Sequence, residues 1–305
     1  MPSTPNARGP SPGLPRRWAE RGGVTILVVG NAVVDRIYRV ARLPTPGETL
    51  LGDTAERQFG GKGLNQAIAA ARIGADVRLL AALGDDAEGD AIHAYVTAEP
   101  LAAELVRLPG RSDESLILVA EDGENMIVST AARAQTLPAA AIERSLAALS
   151  AGDLLLVQGN LAQATTENLL REAGRRGLRR MVNASPPSHA WGDLLPSVDI
   201  LVVNAVEAEQ LDTSRAGAVV VTSGAAGATL VKAGSVVRIK APRVKARDTT
   251  GAGDVLCGVL AAMHDRGMPL LEALSVAVRA ASLKVGRPGT SAGLPTASEL
   301  RELVA

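Results

Sequence analysis

A series of short, largely apolar runs constrains what this chain can fold into. They are Val24–Gly30, Val77–Leu83, Leu154–Val157, Leu178–Val182, Ile200–Val203 and Val219–Val221. A strand apolar along its whole length is buried on both faces, which indicates a parallel sheet covered by helices on both sides. From Asp153 onward each run closes on polar residues: Gln158-Gly159-Asn160, Asn183, Asn204, then Thr222-Ser223-Gly224. Helical patterns fall between and after them, as at Thr165–Arg176 and Leu270–Val285. Polar residues at the carboxyl end of successive strands describe a doubly wound sheet with its site along one edge. The expected fold is therefore α/β, a doubly wound, mostly parallel sheet flanked by helices. Asp35 follows the first strand and is a candidate substrate contact or a turn residue.

Two stretches break this alternation. Arg36 to Phe59 consists of short alternating pieces around Pro44-Thr45-Pro46-Gly47. Ser115–Ala120 and Asn125–Thr130 flank Glu121-Asp122-Gly123-Glu124, a hairpin with an Asp-Gly turn. Strands without helices between them, in two separate places, predict one small β-sheet lid assembled from insertions at about 36–59 and 112–131. Residues 1–22, rich in Pro, Gly and Arg and lacking periodicity, are expected to be a disordered tail ahead of an α/β domain over residues 23–305.

Composition removes several classes of function. Lys+Arg and Asp+Glu number 32 each, with no basic run, which argues against nucleic acid or a membrane surface as partner. Aromatic residues are 2% of the chain, too few for base-stacking platforms. Cys257 is the single cysteine and His occurs three times, so neither an internal disulfide nor a structural zinc site is expected. No apolar run approaches the roughly 20 residues of a membrane span, and no signal-like segment follows Met1, so a cytoplasmic location is expected.

The stretch richest in chemistry is Asp248-Thr249-Thr250-Gly251-Ala252-Gly253-Asp254, ahead of the small apolar run Val255–Ala262. A glycine-rich turn opening a helix leaves backbone N–H groups without partners, and the helix dipole favours an anion in front of them. Asp254, in the first helical turn, either complements that dipole or acts as a general base. A second glycine cluster, Gly60-Gly61-Lys62-Gly63-Leu64-Asn65-Gln66, precedes a helix expected over Ala67–Ile73. It is not a phosphate loop, because Glu56 and Gly63 stand where that motif needs Gly and Ser or Thr. Nor does Gly251-x-Gly253 continue to a dinucleotide fingerprint, since Leu256 stands at the third glycine. The double glycine reads as a flexible junction between lid and core, with Lys62 and Asn65 on its ligand-facing side. Asn204 and Glu207, three apart at a strand-to-helix corner, could hold a metal or its waters, or cap the helix. The loop Gly286–Gly293 could offer carbonyls to a cation or merely lead to the last helix.

The two glycine clusters, with Gly84-Asp85-Asp86, closely resemble the two signatures of the ribokinase-like (PfkB) carbohydrate kinases, in that order and about 190 residues apart. The resemblance runs from about Val24 to the end of the chain. It implies ATP-dependent phosphorylation of a sugar hydroxyl, with Asp254 as the base and the Gly251-Ala252-Gly253 amides holding the transferring phosphoryl charge. It implies a water-mediated role for Asn204 and Glu207 in placing Mg²⁺, and a nucleotide turn at Thr222-Ser223-Gly224 with Gly227. It implies a monovalent cation, K⁺, held by Asp248, Thr250 and a late loop running through Lys284, Arg287 and Gly289. Sugar recognition falls on Asp35, Gly61, Lys62, Gly63 and Asn65, joined by Asn160 and by Asp254 itself. The lid resembles the family's β-clasp, which implies a homodimer.

Three positions depart from the ribokinase pattern. Val33 replaces an Asn, Asn160 replaces a Glu, and Gly293 replaces a Ser that serves as the last cation ligand. The changed pairing groups leave a ketohexose, a pentose other than ribose, or a nucleoside such as pseudouridine open as acceptors. A nucleoside kinase is the rival enzyme, with only Tyr38 and Phe59 in the lid region to stack on a base. A catalytically idle sugar-binding regulator is the rival from another class; the intact Asp254 and glycine turn count against it.

Overall fold

In a computed structural model of the chain, residues 26–187 and 190–304 are described. The tail expected over residues 1–22 and the start of the first apolar run lie outside them. In chain order the strands are β1 (Ile26–Val29), β2 (Val33–Val40), β3 (Thr54–Gly60), β4 (Val77–Gly84), β5 (Ala102–Leu108), β6 (Glu114–Ala120), β7 (Asn125–Ser129), β8 (Leu154–Gln158), β9 (Arg179–Asn183), β10 (Ile200–Asn204), β11 (Ala218–Thr222), β12 (Ala228–Lys232) and β13 (Ser235–Ile239). Nine of these form one sheet in the order β13-β12-β11-β10-β9-β8-β1-β4-β5. Its pairs are parallel except where β12 meets β11 and β13. The chain leaves β1 toward β4 and β5 on one side, then returns to β8 and β9 on the other. That reversal makes the carboxyl ends of β1 and β8 the switch point of the sheet, where open α/β folds place ligands.

Every strand residue from Ile26 to Val29 and from Leu154 to Gln158 is buried. Alternate residues serve two cores, since Ile26, Val28, Leu154 and Leu156 join one and Leu27, Val29, Leu155 and Val157 the other. The helices that position the site are α1 (Lys62–Arg72), α2 (Ala87–Thr97), α3 (Ala139–Ala147), α4 (Gln163–Arg175), α5 (Ala205–Gln210), α6 (Ala252–Asp265) and α7 (Leu270–Val285). Helices α1, α6 and α7 cover the first core, and α3 and α4 cover the second. With few aromatic residues available, the first core is closed by bringing helices together over small residues. A Cβ on Gly258 of α6 would stand 2.3 Å from the Gln66 carbonyl oxygen and 2.9 Å from the Ala69 Cβ of α1.

The lid is a second sheet, ordered β3-β2-β6-β7. Parallel pairing of β2 with β6, from Val34 opposite Glu114 to Val40 opposite Ala120, joins the two separated segments. Two expectations are corrected here. Helix α1 begins at Lys62, not at Ala67, and β3 runs into it through Gly61 at φ 100°. Only glycine turns that corner without strain, and the Gly63 amide is bonded to Asn31 Oδ1 at 3.3 Å, so the double glycine is a fixed corner and not a flexible junction. Asp35 lies inside lid strand β2, beyond the end of β1.

Because the Gly258 neighbour is backbone, Gly258→Ala is expected to destabilise the fold by about 1–3 kcal/mol. The readout is a lower urea midpoint at unchanged m-value.

Candidate active site

The turn 248–254 is a wall between two cavities. One, of 560 Å³, lies under the lid and is lined by Asp35, Lys62, Asn65, Asn160, Asp254 and Thr290, among others. The other, of 550 Å³, is lined by Thr222, Gly224, Gly227, Val244, Ala252 and Gly253, among others. Gly251 and Asp254 therefore face one side, and Ala252 and Gly253 the other.

Helix α6 is preceded by Gly251 as its N-cap, left-handed at φ 79°. This sends the chain sharply from the turn into the helix and brings Asp254 into its first turn, 7% exposed. Two side-chain amides fix its carboxylate: Asn65 Nδ2 donates to Oδ2 at 3.1 Å and Gln66 Nε2 to Oδ1 at 3.0 Å. Gln66 is held in turn, since Gln158 Nε2 donates to its Oε1 at 2.9 Å and its own Nε2 also reaches Asn183 Oδ1 at 3.1 Å. The ends of β8 and β9 thus orient the acid on α6 through the side chain of α1.

The start of the turn is anchored independently. Asp248 accepts from the amides of Thr250 at 2.9 Å and Gly289 at 2.8 Å. Lys284 Nζ, on a fully buried side chain, donates to the carbonyls of Asp248 at 3.4 Å and Arg287 at 3.3 Å. From the lid, Asn125 Nδ2 reaches Thr250 Oγ1 at 3.0 Å. Gln58 Oε1 accepts from the Thr290 amide at 2.9 Å, tying β3 to the late loop.

In the first cavity, Asp35 is 3% exposed, and a Cβ on Gly60 would fall 1.9 Å from its carboxylate, so glycine there makes room for the acid. Burial pushes the Asp35 carboxyl up to about 6, hydrogen bonds from Thr290 and Ser115 oppose this, and the like charge of Asp254 adds to it. Asn160 is buried with neither end of its amide hydrogen-bonded, and Asn65 Oδ1 also lacks a partner. Unpaired buried polar atoms are costly, and here they line a cavity where a polyhydroxylated ligand would satisfy them.

Several expected site residues also have structural partners within the fold. Gly63 packs on the Gly30–Asn31 backbone, where a Cβ would meet Asn31 N at 2.8 Å, so its missing side chain serves strand–helix packing. The Ala252 amide is taken up by the Thr249 carbonyl at 3.2 Å, within the turn itself. Asn204 and Glu207 form a reciprocal capping box at the start of α5, with Glu207 buried. The Arg287 side chain pairs with Glu299 and offers the interior only its carbonyl. The Ser223 amide donates to the Gly227 carbonyl at 2.8 Å and closes the Thr222–Gly227 turn. Sequence reasoning missed Gln66, Gln158 and Asn183 as the supports of Asp254, and Asn125 as the link from lid to turn. Gln66 stood inside the quoted signature, and Gln158 and Asn183 stood at strand ends, but only the fold brings the three together.

The second cavity suits a nucleotide. Gly227, at φ 95°, packs so tightly that a Cβ would meet the Ile239 carbonyl at 2.0 Å, while Gly224 at φ 53° leaves open space beside it. Among the described residues no group of three or more His, Cys, Asp or Glu side chains could hold a metal. That donor set fits Mg²⁺ only as an ion carried largely by substrate phosphates, its usual mode.

Comparison with known proteins agrees with this geometry. The pfkB family carbohydrate kinases match residues 25–297, and the chain belongs to that family. A ribokinase of Haemophilus influenzae is 29% identical over 302 residues, covering 92% of this chain and 98% of its own. Among solved structures, a ribokinase from Giardia lamblia superposes with a TM-score of 0.84 at 24% identity, covering 92% of this chain and 99% of that one. A Cryptococcus neoformans ribokinase in complex with ADP reaches 0.79 at 26% identity over 92% of this chain and 99% of that one. The fold is ribokinase-like, and the chain is an ATP-binding carbohydrate kinase.

The folded protein keeps a proton on Asp35 up to about pH 6, whereas the unfolded chain releases it near 3.8, so ionisation lowers stability as pH rises between those values. Asp35→Asn is therefore expected to be more stable than the parent at pH 8, by about 2–3 kcal/mol, and to unfold at a correspondingly higher temperature. The difference should vanish toward pH 4.

Proposed function

We propose that the chain transfers the γ-phosphoryl group of ATP to a hydroxyl of a free sugar bound under the lid, with Asp254 as general base. The observation that carries this reading is the single turn separating the two cavities, with an amide-fixed carboxylate on the sugar side. Asp35, Lys62, Asn65 and Asn160 line the sugar side and supply donors and acceptors for its hydroxyls. Asp254 Oδ1 and Oδ2 each accept one side-chain amide, which leaves lone pairs free to take the proton of the attacking hydroxyl. The amides of Gly251 and Gly253, at the positive end of α6, face the charge that develops on the transferring group. Bound in the second cavity, ATP with Mg²⁺ would supply the phosphoryl group and neutralise its charge, the Thr222–Gly227 turn cradling it and the Asn204–Glu207 corner assisting through water. Gly63 and Ala252 contribute to the shape of the site and not to contacts with substrate.

A sugar is favoured over a nucleoside because none of the residues lining the first cavity is aromatic. Phe59 is stacked on Tyr95 with ring centroids 5.0 Å apart, and Tyr38 is 39% exposed on the lid. The lid's outer face supports a homodimer. Leu116 and Val128 pair across β6 and β7, and Leu118 pairs with Met126, on the face opposite buried Ile117. Leu116, Met126 and Val128 are 45%, 44% and 65% exposed, an apolar patch of the kind that marks an interface.

ADP release measured over a panel of pentoses, hexoses, sugar phosphates and nucleosides with Mg-ATP tests the reading. One sugar is expected to turn over, with Asp254→Asn lowering kcat by about 10²–10⁴ and leaving KM for the sugar near the parent value. Nucleoside turnover alone, or sugar-dependent thermal stabilisation with no ADP release, would reject it. By sedimentation the parent is expected to be a dimer and Val128→Glu a monomer.

A further inference from the structure

Among the cationic side chains of the described residues, Lys284 is the most deeply buried. It occupies the last turn of α7, and its side chain is fully buried beneath the catalytic turn. Its ammonium meets only oxygen acceptors, the Asp248 carbonyl at 3.4 Å and the Arg287 carbonyl at 3.3 Å. Around it, a Cβ on Gly251 would lie 3.8 Å from Lys284 Cε, and one on Gly293 would lie 3.0 Å from Cε and 3.2 Å from Nζ. Glycine at position 293 thus leaves the room that the ammonium fills. Burial draws the amine's pKa down, and the carboxylates of Asp248 and Asp254 oppose that pull. The carbonyl end of α7 also favours a cation. A buried charge is tolerated where paired groups converge on it, and these do.

We propose that the Lys284 ammonium is a tethered cation that takes the place of a free monovalent ion under the turn 248–254, so that this chain works without K⁺. The inference rests on the kinase reading above. Lys284 touches neither sugar nor nucleotide. It is a positioning residue, holding the carbonyls of Asp248 and Arg287 together and keeping positive charge behind the Gly251 and Gly253 amides. A covalently attached ammonium needs no ion from solution and no ordering of one. The carbonyls of Asp248 and Arg287 are then ligands of a lysine and not of K⁺.

The test compares the parent with Lys284→Ala and Lys284→Met in choline chloride and in KCl, each at about 0.1 M so that ionic screening is equal. Turnover and, without any substrate, thermal unfolding are both read. The parent is expected to be indifferent to the exchange in both. Lys284→Ala should lose about 10²-fold in kcat in choline, and K⁺, NH₄⁺ or methylammonium should restore both its rate and its unfolding temperature. Lys284→Met, which keeps the volume without the charge, should lose the same rate with no rescue. K⁺ raising the rate or unfolding temperature of the parent would overturn the proposal, as would Lys284→Met at parental rate in choline. If neither variant folds, the response of the parent to K⁺ decides alone. A parent that phosphorylates no sugar defeats the kinase reading instead, and the substrate-free unfolding series still judges the cation.

Discussion

The arrangement depends on one buried carboxylate and the amides that hold it. Asp254 sits on α6, Asn65 and Gln66 on α1, Gln158 at the end of β8 and Asn183 at the end of β9. Gln66 donates with one end and accepts with the other, so hydrogen bonding passes from Gln158 on the sheet through Gln66 to the acid. In a low-dielectric interior such a relay is strong when complete and costly when one member is missing. Its completeness requires α1 and α6 to approach closely, which Gly258 and the alanines of α1 permit. Packing by small residues and orientation of the acid are therefore one requirement.

The turn that carries the acid is held from three directions. Asp248 binds the late loop through Gly289, Lys284 binds it from below, and Asn125 reaches it from the lid hairpin. Each contact uses a different part of the chain, so the loop geometry is overdetermined. This suits a site whose work is electrostatic, because dipoles fixed in advance need no reorganisation during reaction.

Much of this was legible in the sequence. Strand runs with polar carboxyl ends gave the sheet and the edge carrying the site, because burial on both faces leaves an unmistakable apolar pattern. The lid followed from β pieces without intervening helices. Strand β5 and the β12–β13 hairpin escaped notice because they lie at the sheet's edges, where Ala102, Ala103 and Ser235–Arg238 are exposed and the apolar pattern lapses. The start of α1 was misjudged because Gly60-Gly61 suggests looseness, whereas the φ of Gly61 shows a tight corner. Asn204 and Glu207 illustrate a different limit. Their spacing suits a helix cap and a metal's water shell equally, and the capping box is the part that backbone geometry expresses. The family resemblance places Lys284 only in a late loop around a cation; the inward turn of its side chain uses the room left by Gly293, far along the loop.

The first segment of the lid, β2 and β3, is joined to the core by very little chain. Between Val29, the last residue of β1, and Val33, the first of β2, lie only Gly30, Asn31 and Ala32, at the switch point of the sheet. The return path is as short, since β3 ends at Gly60 and α1 begins at Lys62. The two struts run side by side, pinned by the Leu64 amide on the Asn31 carbonyl at 3.0 Å. They carry Asp35 at one root and Lys62 at the other. On the reading proposed above, a sugar held between those two side chains would bridge both roots of this lid segment and brace the junction of lid and core.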